Sequence, residues 1–135
     1  MKFPVEGACQ CGGVTYQLLA QPLIVVACHC RECQKLSTSA FSITAIVKSE
    51  DIIFHGEMKE WSRKADSGNT SGAKFCPTCG NRIYHFNPED MSTIKLKPSN
   101  LTDTSLIQPT VHAWVSEKQS WYTIPQGVQT FEKQP

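Results

Sequence analysis

Apolar and polar residues alternate along this chain in short runs. In residues 14–18, Val14, Tyr16 and Leu18 share one face while Thr15 and Gln17 take the other, the two-residue period of a half-buried strand. Pro22 ends that segment. Residues 23–27 are short, apolar and β-branched, which predicts a buried strand that delivers Cys28 at its end. Residues 32–38 predict a helical turn, and residues 41–47 return to alternation. Residues 51–55 predict a short strand closed by Gly56. Met58 and Trp61 have a more helical spacing, yet residues 58–64 are read as strand. Residues 66–72, polar and glycine-bearing, predict a loop between two halves of one sheet system. Residues 73–75 and 82–86 predict the arms of a hairpin whose tip is residues 76–80. Residues 93–97 and 111–115 alternate cleanly, and residues 121–124 predict a last strand before a polar tail.

Short strands at intervals of about ten residues, with turn signals between them, predict an all-β protein with little helix. No internal repeat or low-complexity tract interrupts the pattern. The length, 135 residues, suits one domain spanning 1–135, short enough for a bound metal to matter to its stability. Charge adds an exclusion: 13 basic against 12 acidic residues, net +1, is no electrostatic footprint for a phosphate backbone, so nucleic acid is not an expected partner. The longest apolar stretch, residues 23–28, is far short of a membrane span, and the first residues lack the apolar core of a signal peptide. These features predict a cytoplasmic protein with no membrane partner.

Cysteine changes the picture most. There are seven, an odd number without an export signal, whereas disulfide frameworks belong to secreted chains and usually to even counts. Their spacing is that of metal knuckles. Cys9-Gln10-Cys11 and Cys76-Pro77-Thr78-Cys79 are two close pairs, each followed by glycine, and together they make a complete four-thiolate set. A tetrahedral zinc bound by Cys9, Cys11, Cys76 and Cys79 would have no free position, so its role would be structural, closing a loop of about 65 residues. Cys28-His29-Cys30-Arg31-Glu32-Cys33 packs three thiols into six residues, one fewer than a closed site requires. The sequence therefore predicts one closed zinc site and one open one.

Read together, residues 7–16, 28–35 and 74–80 resemble the glutathione-dependent formaldehyde-activating enzyme family, which also includes centromere protein V. The resemblance runs over residues 7–124 and rests on three cysteine motifs in order. It implies a β-tent fold of short stacked antiparallel sheets, a structural zinc on Cys9, Cys11, Cys76 and Cys79, and a catalytic zinc on Cys28, Cys30 and Cys33. It further implies that a small-molecule thiol such as glutathione adds to an aldehyde, formaldehyde, giving S-hydroxymethylglutathione, a carbon–sulfur lyase reaction in the bond-forming direction. The chemistry is coherent: an open three-thiolate zinc deprotonates an incoming thiol, and thiolate is the nucleophile. Where family members often carry a Gly-Thr-Leu-Asp-Asp-like turn, this chain has Ser99-Asn100-Leu101-Thr102-Asp103, keeping only Leu101 and Asp103. That departure leaves the substrate open.

Glutathione carries two carboxylates and an ammonium, so Arg31, Lys35, Arg63, Lys74 and Arg82 are its candidate partners, each against a default of solvated surface charge. His29, flanked by thiols, is expected to turn away from the ion into packing or hydrogen bonding. His55, His85 and His112 are read as strand residues, and Trp61, Trp114 and Trp121 as candidates to line a pocket, against a default of core. Two other readings stand beside the enzyme. One is a non-catalytic zinc β module, for protein interaction or thiol carriage, which would apply if His29 or His112 closed the three-cysteine site. The other is a dithiol redox protein using Cys30 and Cys33, for which Cys28 would have no purpose.

Overall fold

A computed structural model describes residues 2–135. Strand accounts for 41% of the chain and helix for 15%, so the structure is mainly β, as the alternation predicts. The strands are β1 (Val5–Ala8), β2 (Thr15–Leu18), β3 (Ile24–Cys28), β4 (Ser42–Lys48), β5 (Ile52–His55), β6 (Lys59–Lys64), β7 (Thr70–Phe75), β8 (Arg82–Asn87), β9 (Asp90–Leu96), β10 (Val111–Ala113) and β11 (Gln129–Thr130). A single α-helix among the described residues, α1 (Arg31–Ser37), sits between β3 and β4.

These strands form two sheets. The small one has the order β1-β2-β5, and the large one β11-β10-β3-β4-β9-β8-β7-β6. The sheets face each other across one apolar cluster that takes Tyr16, Leu18 and Ile52 from the small sheet and Ala45, Val47, Tyr84, Phe86, Ile94 and Leu96 from the large. Aromatic rings bridge the layers: Phe54 stacks on Tyr84 with centroids 4.7 Å apart and lies 5.6 Å from Tyr16. Because side chains alternate along a strand, the large sheet's other face is free to carry polar groups.

Most pairings are antiparallel, but β10 runs parallel to both β3 and β11, a departure from the expected antiparallel sheets. After β9 the chain passes through the 3-10 turns at Pro98–Asn100 and Thr104–Ile107 and crosses β4 and β3 in the sheet order before β10 joins β3, a crossover that permits the parallel register.

Three local expectations are corrected. Residues 70–72 are strand, not loop, and the tip of the β6–β7 hairpin is confined to residues 65–69. Gly72 reads as a turn signal, but it is there because the Phe86 ring of the neighbouring strand lies where a Cβ would be, 2.4 Å away. Residues 121–124 are not a strand. Their alternation instead reflects Tyr122 and Ile124 turning inward, with Tyr122 in the ring cluster around His29, and β11 forms further on. None of the three tryptophans is core: Trp61 is 51% exposed, Trp121 71%, and Trp114 half-buried. Trp114 also ends β10 early, since its φ of 57° is left-handed and cannot continue a strand.

The two surviving residues of the 99–103 turn hold structure. Leu101 is buried and bridges to Gly7, and the Asp103 carboxylate accepts from Ser105 N at 3.0 Å. Among the described residues no helix is long and apolar enough to cross a membrane.

Candidate metal centres

All seven cysteines are free thiols, and their sulfurs gather in two groups. Cys9 and Cys11 occupy the turn after β1, and Cys76 and Cys79 the tip of the β7–β8 hairpin. Their four sulfurs lie within 4.8 Å of one another, with Cys11 3.6 Å from Cys76 and 3.7 Å from Cys9. Each knuckle is a tight turn closed on its own backbone: Gly12 N donates to Cys9 O at 3.0 Å and Gly80 N to Cys76 O at 2.9 Å. Gly12 and Gly80 hold φ of 79° and 77°, which side-chain-bearing residues rarely adopt. Amides point at the sulfurs, Val14 N to Cys9 Sγ at 3.3 Å and Gly13 N to Cys11 Sγ at 3.4 Å, as suits thiolates. Burial opposes ionisation of Cys9, but the Val14 N–H and the neighbouring thiols outweigh it and hold Cys9 down to about 6. The knuckles are also tied to each other, since Gln10 N donates to the Asn81 side chain at 3.0 Å. Asn81 was not singled out by sequence. Its place two residues past Cys79 was the available signal.

The second group forms where β3 runs into α1. Cys28 ends the strand, Cys30 caps the helix with its sulfur accepting from Cys33 N at 3.4 Å, and Cys33 lies in the first turn. Their three sulfurs are again within 4.8 Å of one another, and no histidine or carboxylate among the described residues joins them. Hydrogen bonds from Cys28 and Cys30, aided by Ser42 and the Lys97 charge, hold the Cys33 thiol far below its ordinary value. The same bonds and burial push Cys28 up.

His29 lies between two of these cysteines yet points the other way. It is fully buried, with Nε2 2.8 Å from His112 Nδ1, packed among Phe41 and Tyr122. Burial, then the charges of His112 and Lys118, lower it to about 4, so it is neutral at pH 7. Gln34 fixes the same junction by donating to His29 O at 2.8 Å and Glu117 O at 3.0 Å. Neither histidine closes the three-sulfur group.

Sequence reading missed Lys97. The register aligns Cys28 with Ser42, and the alternation of β4 and β9 puts Thr44 and Lys97 on the same face. There Lys97 Nζ donates to Thr44 Oγ1 at 2.8 Å and Ser42 Oγ at 3.3 Å. Burial lowers its pKa while the Cys33 and Cys28 charges act the other way, and Ser42, which bonds both Lys97 and Cys33, links the ammonium to the three-sulfur group. The polar alternation of Thr93, Lys95 and Lys97 was the visible sign.

The candidate cations divide. Arg31 bonds Gln34 Oε1, Lys74 pairs with Glu60 at 3.1 Å, and Lys35 with Glu32 at 3.7 Å. Arg63 and Arg82 have no carboxylate partner among the described residues, and with Lys35 they line a groove of about 290 Å³ beside α1.

A sequence profile of the glutathione-dependent formaldehyde-activating enzyme matches residues 4–117. No curated protein matches the chain. Among solved structures, the crystal structure of a Rhodobacter sphaeroides protein from the Northeast Structural Genomics effort has a similar fold. It has a TM-score of 0.54 and 18% identity over 72% of this chain and 87% of that one.

Proposed function

Because the chain belongs to the glutathione-dependent formaldehyde-activating enzyme family, we propose that it is a carbon–sulfur bond-forming enzyme that adds the sulfur of a thiol such as glutathione to formaldehyde. In this reading Cys28, Cys30 and Cys33 hold a catalytic zinc, and Cys9, Cys11, Cys76 and Cys79 a structural one. The observation that carries it is the three-sulfur group that no histidine, carboxylate or further cysteine among the described residues joins, since an open position is what a thiol substrate needs. The donor sets fit the ion: soft sulfurs within 4.8 Å of one another, some receiving amide hydrogen bonds. Cys28, Cys30 and Cys33 would hold the zinc, which would supply the positive charge that lets a thiol lose its proton at neutral pH.

The chain's own residues do the rest. Cys30 and Cys33 are tied to each other through the helix cap, Cys33 N donating to Cys30 Sγ at 3.4 Å, which orients both sulfurs at the start of α1. Lys97 sets a positive charge behind a cluster that three thiolates and one divalent ion would leave with a net negative charge. The His29–His112 pair, walled by Phe41 and Tyr122, anchors the backbone between Cys28 and Cys30 to β10. In the reaction the thiol's S–H bond breaks and an S–C bond forms to the carbonyl carbon. The π pair moves to oxygen, which takes a proton, so thiol and aldehyde sum to the hydroxymethyl adduct.

Two further readings belong here. The apolar cluster shared by both sheets supports a single domain over 1–135, and seven unpaired thiols suit a reducing compartment such as the cytoplasm.

The test is zinc per chain on reduced protein, together with carbon-13 magnetisation transfer between formaldehyde and its glutathione adduct. Wild type is expected to bind two ions and accelerate the exchange. Cys30→Ser is expected to keep one ion, stay folded and lose at least about a hundredfold in rate. One ion in both proteins, with no acceleration by either, sinks the enzyme reading and leaves a zinc-stapled β module.

A further inference from the structure

Cross-strand partners in a sheet stand on the same face. Lys95 pairs with both Ile46 and His85, His85 with Ala73, and Ala73 with Trp61, while Arg63 pairs with Ser71. Ile46 shares its face of β4 with Thr44 and Ser42, and Ser42 pairs with Cys28. One face of the large sheet thus runs from the three-cysteine group across to Trp61. Helix α1 stands over this face and supplies Glu32, Lys35 and Leu36 to the groove already described. Ser71, Ala73 and His85 are the groove's strand residues of small or flat profile, and Trp61, Arg63 and Arg82 complete it.

Its charge is lopsided. Three cations line the groove against one carboxylate, Glu32, which is already paired with Lys35. Two guanidinium groups are left without an acidic partner. They are also close enough to disfavour one another: burial and then the Arg63 charge lower Arg82. Arg82 is nevertheless held in place, with Nη1 3.0 Å from His85 Nε2 and its guanidinium carbon 5.5 Å from the centre of the Trp61 ring. Burial and the surrounding cations keep His85 neutral, so its ring nitrogen accepts from the guanidinium and fixes the orientation of the fork. Arg63 donates to Lys64 O at 3.2 Å and, like Arg82, has no carboxylate partner among the described residues, so an anion between the two guanidiniums offsets their mutual repulsion.

We propose that this groove is the carboxylate-binding subsite for the thiol substrate, Arg63 and Arg82 clasping a carboxylate while the substrate's sulfur reaches the three-cysteine group at the other end of α1's first turns. This rests on the enzyme reading above for the sulfur end only. A guanidinium fork matches a planar carboxylate in a way that an ammonium does not, and Trp61 offers an apolar wall to the chain linking carboxylate and thiol. The groove therefore selects thiols that carry a carboxylate over small neutral ones.

Two probes separate the ends of the site in the full metal-loaded chain. S-methylglutathione keeps the carboxylates and has no free thiol, and 2-mercaptoethanol is a thiol with no carboxylate. Calorimetry is expected to show S-methylglutathione binding to wild type, with affinity about tenfold weaker in Arg63→Gln and in Arg82→Gln. In the cobalt-substituted protein, 2-mercaptoethanol is expected to change the visible spectrum equally in all three. Unchanged affinity for S-methylglutathione in the two variants, or no binding to wild type, overturns the proposal. Should Arg82→Gln fail to fold, Arg63→Gln and quenching of Trp61 fluorescence by S-methylglutathione, absent in Trp61→Phe, decide it alone. If no thiol alters the cobalt spectrum while S-methylglutathione still binds in an arginine-dependent way, the subsite stands and the enzyme reading falls.

Discussion

The two cysteine clusters set the same atom, a thiol sulfur, in opposite surroundings. The four-cysteine group draws two turns together from positions 65 residues apart, one leaving the small sheet and one at the hairpin tip of the large sheet. The three-cysteine group lies within six residues at a strand-to-helix junction and brings no distant chain together by itself. Closing a long loop removes more conformational freedom from the unfolded chain than closing a short one. The first cluster is therefore suited to holding the fold and the second to being exchanged, approached and left. Their surroundings agree. The four-cysteine group is tied by amides and by Asn81, while the three-cysteine group has a lysine, a helix and a basic groove beside it.

The sharpest way to break this comparison is to remove one sulfur from each cluster. Cys76→Ser is expected to cost more than about 4 kcal/mol of stability, because a closed metal site and the tie between the sheets go together. Chemical denaturation with zinc present would show it. A midpoint close to that of Cys30→Ser would erase the distinction between the two clusters.

A smaller effect is expected at Lys97. Lys97→Met removes the ammonium behind Cys28 and Cys33 and leaves a stem of similar length. The three-cysteine group is expected to lose about tenfold in zinc affinity, while the four-cysteine group is unchanged. Competition with a chromophoric chelator, reading the two ions separately, checks this. Equal weakening at both groups would mean that Lys97 acts through general stability.

The smallest effect concerns His85, at the groove. Its folded pKa is pushed down to about 3, below the ordinary value of 6.5. Below that ordinary value the unfolded chain takes up a proton that the folded one refuses, so stability is full above pH 6.5 and declines as pH falls toward 3. The slope from this group is at most about 1.4 kcal/mol per pH unit. His85→Gln is expected to flatten the acid limb of the stability curve by a fraction of that slope. Loss of zinc in acid is common to both proteins and cancels in the difference. Parallel curves would show that His85 is protonated in the folded state.

Much was legible beforehand. The strands at Val14–Leu18, 41–47 and 51–55 were visible because alternation reports burial of one face, and burial is what pairs them. Both cysteine sets were countable from spacing, since a knuckle is a local turn. Residues 70–72 were misread because glycine signals both a turn and a close approach, and only the Phe86 ring shows which applies. The default core reading of the tryptophans fails for a related reason: apolar character favours burial, but Trp61 takes the alternative role of pocket lining, under a cation at a groove edge.

By itself the sequence determined the class of the fold, the two cysteine sets and a near-neutral charge balance, because each depends on residue type and short spacing. Only the tertiary structure decided that His29 pairs with His112 and leaves the three sulfurs open, that Lys97 stands behind them, and that Arg63 and Arg82 meet in one groove. Those three facts join residues brought together by sheet register, and register is set by the packing of whole faces.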